Sequence, residues 1–308
     1  MRLLFLGNNE RGCRCLEALV HAGHQVVAVV ALPERKQPQW SRNLASLAKG
    51  YSLPVYQPED INAADVVAHL DSLEPDVVVL AGYNQLVKRP FINIARQRCI
   101  NLHASPLPNY RGAAPLNWML INGESRGALS IIEVDEGVDT GDILAQHFFD
   151  IRPEDDYRSL LDYSLEHYPP LLLATLEAIA TNSLQARKQN RCQGQFYSKR
   201  LPKDGRITWQ TMSAVQVHNL VRALVLPMPG AFSDYQPASS EPQRIIIEKT
   251  QQIAREYRGV AGRVAAHWPS GVIVLCADRG LLITHCRLDD GRVVAASSVM
   301  PASGQDLL

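Results

Sequence analysis

Five consecutive apolar residues, Val77-Val78-Val79-Leu80-Ala81, follow Pro75-Asp76 and stop at Gly82. A strand without polar alternation has no face to offer water, so it belongs in a sheet covered on both sides, the usual state of a parallel sheet. Val26, Val27, Val29 and Val30 form a second run of this kind. Around these two runs the pattern alternates: strand 3–6, helix 15–22 with Gly23 where a C-cap glycine would stand, strand 25–31, strand 53–56, helix 63–73, strand 77–81 and strand 99–102. Residues 32–50 carry Pro33, Pro38 and Trp40 and read as a long loop giving way to a helix near 41–48. The expected fold class is α/β, a Rossmann-like, mostly parallel sheet with helices on both faces.

Pro106, Pro108, Gly112 and Pro115 then stiffen a long loop at 103–115, before a helix around 116–122. Strands at 128–134 and 143–149 flank a polar turn at 135–142, and a long helix is expected from about 157 to 180. Polar residues 182–204 read as a linker. Beyond it the pattern changes to short β runs at 245–248, 262–265, 272–276 and 281–284, opened by a helix at 214–224. At 308 residues the chain exceeds one average domain. The expected organisation is an α/β domain over 1–200 and a small C-terminal β-barrel-like (OB-like) domain over 201–308.

Composition removes several function classes. The longest apolar stretches fall far short of the roughly 20 residues of a spanning helix, and no signal-peptide pattern opens the chain, so a cytoplasmic protein without membrane contact is expected. Thirty-one Lys and Arg balance 31 Asp and Glu, which leaves no global field to attract a polyanion. Six cysteines without a C-x-x-C pair, and nine histidines without ligand spacing, support neither a disulfide scaffold nor a metal site. Gly7-Asn8-Asn9-Glu10-Arg11-Gly12 lacks both the G-x-G-x-x-G spacing and the Lys-Ser/Thr pair of a phosphate loop, so an ordinary glycine turn is the better account. The four acids of the 135–142 turn do not match a calcium loop.

Asn101-Leu102-His103 is more informative. Residues two apart on a strand share a face, so the amide and the imidazole project together at the C-terminal end of a parallel strand, where such sheets bind ligands. If Asp139 of the polar turn approaches His103, it orients the ring and stabilises its protonated form, an arrangement suited to acyl transfer.

Several segments carry a resemblance. Residues 101–115 read Asn-Leu-His-Ala-Ser-Pro-Leu-Pro-Asn-Tyr-Arg-Gly-Ala-Ala-Pro; Asn122-Gly123-Glu124 and Gly137-Val138-Asp139-Thr140-Gly141-Asp142 follow. In that order and separation they resemble the 10-formyltetrahydrofolate-dependent formyltransferases. Pro106 departs from the Leu usual there and touches no polar catalytic group. Tyr197-Ser198-Lys199-Arg200, Ile207-Thr208-Trp209, His218-Asn219-Leu220-Val221-Arg222-Ala223 and Pro227-Met228-Pro229-Gly230-Ala231-Phe232 extend the likeness over most of the chain.

The resemblance implies an N-formyltransferase that takes its formyl group from N10-formyltetrahydrofolate as co-substrate, with no metal. It assigns Asn101 to the oxyanion, His103 to proton transfer and Asp139 to orienting His103 or a proton-relaying water, by direct transfer without a covalent enzyme intermediate. It places the pterin along Tyr83, Asn84, Gln85, Leu86 and Val87, with further contacts from Glu136, Gly137 and Val138. Tyr110, Arg111, Trp118, His218 and Asn219 are candidate substrate contacts; Arg111 either meets a substrate phosphate or anchors its loop, and His218-Asn219 either face substrate or cap and pack their helix. Ala114-Pro115-Leu116-Asn117-Trp118 and the 218–223 segment look closest to nucleotide-sugar N-formyltransferases, so the expected acceptor is a nucleotide-linked amino sugar. Methionyl-tRNA is the alternative acceptor, and tRNA a partner only in that case. A regulator that binds folate or nucleotide without turnover is disfavoured by the intact Asn101, His103 and Asp139, and deformylation of the folate by water is a third possibility. No heptad seam speaks for or against a homo-oligomer.

Overall fold

The computed structural model describes residues 1–36, 41–236, 241 and 243–308, so Pro38 and Trp40 of the expected loop lie outside the described residues. In chain order the first elements are β1 (Arg2–Gly7), α1 (Asn9–His21), β2 (Gln25–Ala31), α2 (Leu44–Gly50), β3 (Val55–Tyr56), α3 (Ala64–Asp71) and β4 (Val77–Ala81). Next come α4 (Arg89–Ile92), β5 (Arg98–His103), β6 (Arg111–Gly112), α5 (Pro115–Ile121), β7 (Arg126–Glu133), β8 (Ile143–Asp150), α6 (Tyr157–Ala180) and β9 (Phe196–Tyr197). The last are α7 (Ala214–Ala223), β10 (Ala231–Tyr235), β11 (Gln243–Gln251), β12 (Val264–Trp268), β13 (Gly271–Leu275), β14 (Gly280–Arg287) and β15 (Val293–Ala295). Two compact units result, one of Met1–Pro115, Arg126–Asp150 and Leu161–Tyr197, the other of Leu116–Ser125, Ile151–Leu160 and Ser198–Leu308.

The first unit is built on a seven-stranded sheet in the order β3-β2-β1-β4-β5-β7-β8. Its first five strands are parallel; β7 pairs antiparallel with β5, and β8 antiparallel with β7. Leu4, Leu6, Val78 and Leu80 join one core cluster with Ala28 and Val30. Their neighbours Leu3, Phe5, Val77 and Val79 are fully buried as well, so the apolar runs are covered on both faces as their composition requires. Gly23, at φ 74°, closes α1 after its C-cap. Gly12 serves packing: a Cβ there would lie 3.3 Å from the Ala81 carbonyl oxygen, so its absence lets α1 approach β4.

The second unit is antiparallel, in the order β10-β11-β14-β13-β12 with β15 paired to β14. The last residues of the chain join its two edges. Tyr235 bridges Leu307 beside β10, and Arg263 bridges Asp306 beside β12, with Leu308 and Asp234 exchanging backbone hydrogen bonds and Leu307 N–H reaching the Gly262 carbonyl. Trp209, fully buried, donates its indole N–H to Ser233 Oγ at 2.9 Å inside this small OB-like barrel. Among the described residues no helix is long and apolar enough to cross a membrane.

Because Leu307 is 1% exposed at the closure, Leu307→Ala both opens a cavity and loosens the stave that joins β10 to β12. Urea unfolding is expected to show a loss of about 2–5 kcal/mol in the stability of this unit; an unchanged midpoint would refute the closing role.

Candidate active site

Strand β5 sets the first two side chains. Asn101 pairs with Leu80 of β4 and Ile132 of β7, and His103 with Ser130, so both residues sit in the sheet interior and share one face at the end of the strand. Beyond His103 the chain is pinned by a fully buried serine: Ser105 N–H meets the His103 carbonyl, Ser105 Oγ donates to Asn109 O, and Ser105 O accepts from Ser130 Oγ. The β7–β8 turn brings in the third group. Asp139 Oδ1 accepts from Asn101 Nδ2 at 3.3 Å, and Oδ2 lies 3.4 Å from His103 Nδ1 and accepts the Gly112 N–H at 2.9 Å. The three side chains expected to converge do so, around one carboxylate.

His103 is 7% exposed, and both its ring nitrogens are engaged. Nε2 lies 2.7 Å from the Tyr110 carbonyl oxygen, which can only accept, so Nε2 carries a proton and Nδ1 faces Asp139. Four residues near the carboxylate adopt left-handed backbone: Tyr110 (φ 61°), Gly112 (φ 93°), Ala114 (φ 54°) and Asp139 (φ 53°). Each non-glycine residue in that region is strained and must be held by its surroundings.

What holds them comes from the polar stretch after α6. Strand β9 pairs with β6, matching Arg111 to Phe196 and Gly112 to Tyr197, and the Tyr110 and Tyr197 rings stack at 4.8 Å. Arg111 is fully buried and directed inward. Its guanidinium donates to Gln189 Oε1 and to the Gln193 and Asn190 carbonyls, and lies 5.2 Å from the centre of the Phe196 ring. In this structure Arg111 anchors its loop. Burial pulls its pKa below the ordinary arginine value, while Asp139 and Asp135 favour its charge.

Residues 1–176 match the family described as formyl transferase, and residues 200–303 match its C-terminal domain. A methionyl-tRNA formyltransferase of Geobacter metallireducens is 31% identical over 304 residues, covering 97% of this chain and 95% of that one. The chain belongs to the formyl transferase family. Two solved structures share its fold: WlaRD, a sugar 3N-formyl transferase (19% identity, TM-score 0.67, 92% of this chain and 97% of that one), and the N-formyltransferase of Helicobacter canadensis (18%, TM-score 0.67, 91% and 98%). The first was solved with dTDP and 5-N-formyl-THF, the second with folinic acid and dTDP-3-aminofucose.

The other candidate residues of this formyltransferase fall in two places. Tyr83, Asn84, Gln85, Leu86 and Val87 leave the end of β4 without regular structure. Gln85 is fastened to Ile61 N–H and Glu59 O, and the Leu86 carbonyl accepts from Asn62. Tyr83 and Val87 pack on the same core cluster as Val134, which leads into the turn holding Glu136, Gly137 and Val138. Leu86 (72% exposed) and Val138 (40%) present apolar side chains to solvent, and the buried Tyr83 hydroxyl has no hydrogen-bond partner among the described residues.

Trp118, His218 and Asn219 belong to the second unit. The Trp118 indole donates to Ser198 O and faces Arg200 at 5.5 Å. His218 and Asn219 line a cavity of about 810 Å³ on α7. There His218 Nδ1 meets Thr250 Oγ1 at 2.8 Å, and Asn219 Oδ1 accepts from Arg222. Burial pushes the Cys13 thiol up to about 11 and Cys15 up to about 12, and raises Cys99 as well, so these three are poor nucleophiles. Among the described residues no cluster could hold a metal ion.

A Cβ at Gly112 would sit 2.4 Å from the Tyr197 carbonyl oxygen on a backbone of positive φ. Gly112→Ala is therefore expected to part β6 from β9, withdraw the N–H from Asp139 and lower turnover about 10²-fold. Formyl-transfer kinetics on variant protein of native circular dichroism check this; unchanged turnover would show that the Gly112 contact is dispensable.

Proposed function

We propose that this formyltransferase moves a formyl group from N10-formyltetrahydrofolate directly onto a primary amine at Asn101, His103 and Asp139. The convergence of these side chains carries the reading. The amine lone pair bonds to the formyl carbon while the carbonyl electrons move onto oxygen. Collapse then reforms the C=O and breaks the bond to N10, which gains the proton the amine gives up, so the products are the N-formyl acceptor and tetrahydrofolate. Asn101 offers amide N–H to the developing oxyanion, a contact of a kind worth about 3–4 kcal/mol in the transition state. His103, with Nε2–H committed to Tyr110 O, takes up the proton at Nδ1, where the Asp139 carboxylate stabilises the imidazolium. A nucleophilic carboxylate would add a step that holding both substrates together makes unnecessary.

The proposed seat of the formyl donor runs along residues 83–87 and 136–138. Two exposed apolar side chains and an unsatisfied hydroxyl suit a flat ring rich in donors and acceptors.

For the acceptor, the full-length sequence likeness to the methionyl-tRNA formyltransferase of Geobacter metallireducens supports methionyl-tRNA over the amino sugar expected from the motifs. A second reading, a nucleotide-linked amino sugar, is favoured by the charge of the barrel. Its residues 205–308 hold ten Lys and Arg against eight Asp and Glu, and Arg206, Arg244, Arg258, Arg263, Arg279, Arg287 and Arg292 each pair with a carboxylate. Such a surface exerts little long-range pull on a polyanion. Trp118, His218 and Asn219 remain proposed contacts for either acceptor, whereas Tyr110 and the buried Arg111 act through the loop they order.

Formyl transfer to methionyl-tRNA, measured beside a panel of UDP- and dTDP-amino sugars, is expected to favour the tRNA; transfer to a sugar alone would establish the second reading. His103→Ala is expected to leave binding of the formyl donor largely intact and to lower turnover at least about 10²-fold. Near-normal turnover would remove His103 from the chemistry.

A further inference from the structure

Reading residues 182–204 as a linker gives Gln189 no task, yet it is 9% exposed and uses every polar atom of its side chain. Oε1 accepts from Arg111 Nε at 3.2 Å and Nη2 at 2.9 Å. Nε2 donates to the Asp139 carbonyl at 2.9 Å and the Gly141 carbonyl at 2.6 Å. The orientation of the amide is fixed by its partners: a guanidinium only donates and a carbonyl only accepts, so oxygen must face Arg111 and nitrogen the turn. The turn lies close against β7, since a Cβ at Gly141 would run into the Glu133 carbonyl oxygen, and Asp139 adopts φ 53°. Arg111 in turn precedes Gly112, whose N–H donates to Asp139 Oδ2. Gln189 thus closes a ring of contacts, from its own amide through Arg111 and Gly112 to the Asp139 carboxylate and back through the Asp139 carbonyl.

We propose that Gln189 is a positioning residue for formyl transfer, clasping the 139–141 turn to Arg111 so that the Asp139 carboxylate stays aimed at His103 and Asn101. The inference rests on the role given to Asp139 above. It differs from a role in folding alone because a displaced carboxylate changes the chemical step while substrate binding by other segments survives.

Gln189→Glu tests it. The substitution keeps the shape and the acceptor for Arg111, and its charge complements that buried cation. It replaces the two donors with an oxygen facing two carbonyl oxygens. Turnover is expected to fall about tenfold or more while KM for the formyl donor stays within about twofold. In a His103→Ala background the same change is expected to alter residual turnover by less than about twofold, since the group it positions has lost its partner. Normal kcat, a change confined to KM, or an equal loss in both backgrounds would overturn the positioning role. Gln189→Met, similar in volume and lacking both donors, gives the same readout should the glutamate variant not fold. Wild-type turnover in both His103→Ala and Asp139→Asn would defeat the reading of the site itself. Loss of turnover in those two beside a normal Gln189→Glu would defeat only the clasp.

Discussion

The Asp139 carboxylate is the point on which the site depends. It receives N–H groups from Asn101 and Gly112 and faces His103, so a turn residue, a strand and a loop are referred to one pair of oxygens. None of these contacts is strong alone, and a hydrogen bond to a charged group contributes about 1.5–3 kcal/mol. Their value is geometric. A carboxylate on a left-handed turn residue is held by strain that its neighbours must offset, and a strand at the sheet's end supplies the rigid side of the arrangement. The sheet is therefore part of the chemistry: burying β4 and β5 on both faces fixes where Asn101 and His103 stand, to within what the turn can meet.

Much of this framework was legible in the residues. The apolar runs fix β2 and β4 to their observed bounds, and α6 spans Tyr157–Ala180 as its spacing predicts, even through Pro169 and Pro170. Asn101 and His103 were readable because period two is local, whereas Asp139 could be tied to His103 only conditionally, because no periodicity fixes where a turn residue 36 positions further along the chain comes to rest. Gln189 was hidden for the same physical reason in reverse. A glutamine in a polar stretch has no periodic signature, and its meaning arises only from partners 78 and 50 residues away. The two-residue strands β6 and β9 are too short to leave a pattern. Strand β10, Ala-Phe-Ser-Asp-Tyr, carries a weak one, because its buried serine is satisfied by Trp209 and not by apolar burial. Barrel closure by isolated bridges leaves no trace in composition at all.

Arg111 shows how burial can change the sense of a residue. In a proline-rich loop beside a candidate site an arginine suggests phosphate, and the sequence leaves both roles open. Fully buried, it makes no ion pair among the described residues; two carbonyls, one side-chain amide oxygen and an aromatic face share its charge. Such a cation is costly to bury and more costly to strip of any one acceptor. The loop from Tyr110 to Gly112 is thereby bound to the segment 189–197, and positive charge lies behind the turn that carries Asp135 and Asp139.

The same geometry bears on acceptor choice. In the proposed transfer, amide, imidazole and carboxylate act on the formyl carbon and the attacking nitrogen, which are alike in an aminoacyl ester and an amino sugar. Such a centre engages only the atoms common to both acceptors and so gives little basis for telling them apart. Discrimination must then come from binding energy gathered away from the reacting atoms. A polyanion needs cations free to release counterions, and each exposed arginine pair on the barrel gives up only about 0–1 kcal/mol when its carboxylate is exchanged for a phosphate. For the proposed tRNA acceptor, the small net charge of the barrel therefore slows encounter more than it weakens the final complex. Preference for tRNA over a nucleotide sugar is expected to show in how association responds to salt, while the response of the chemical step is common to both acceptors.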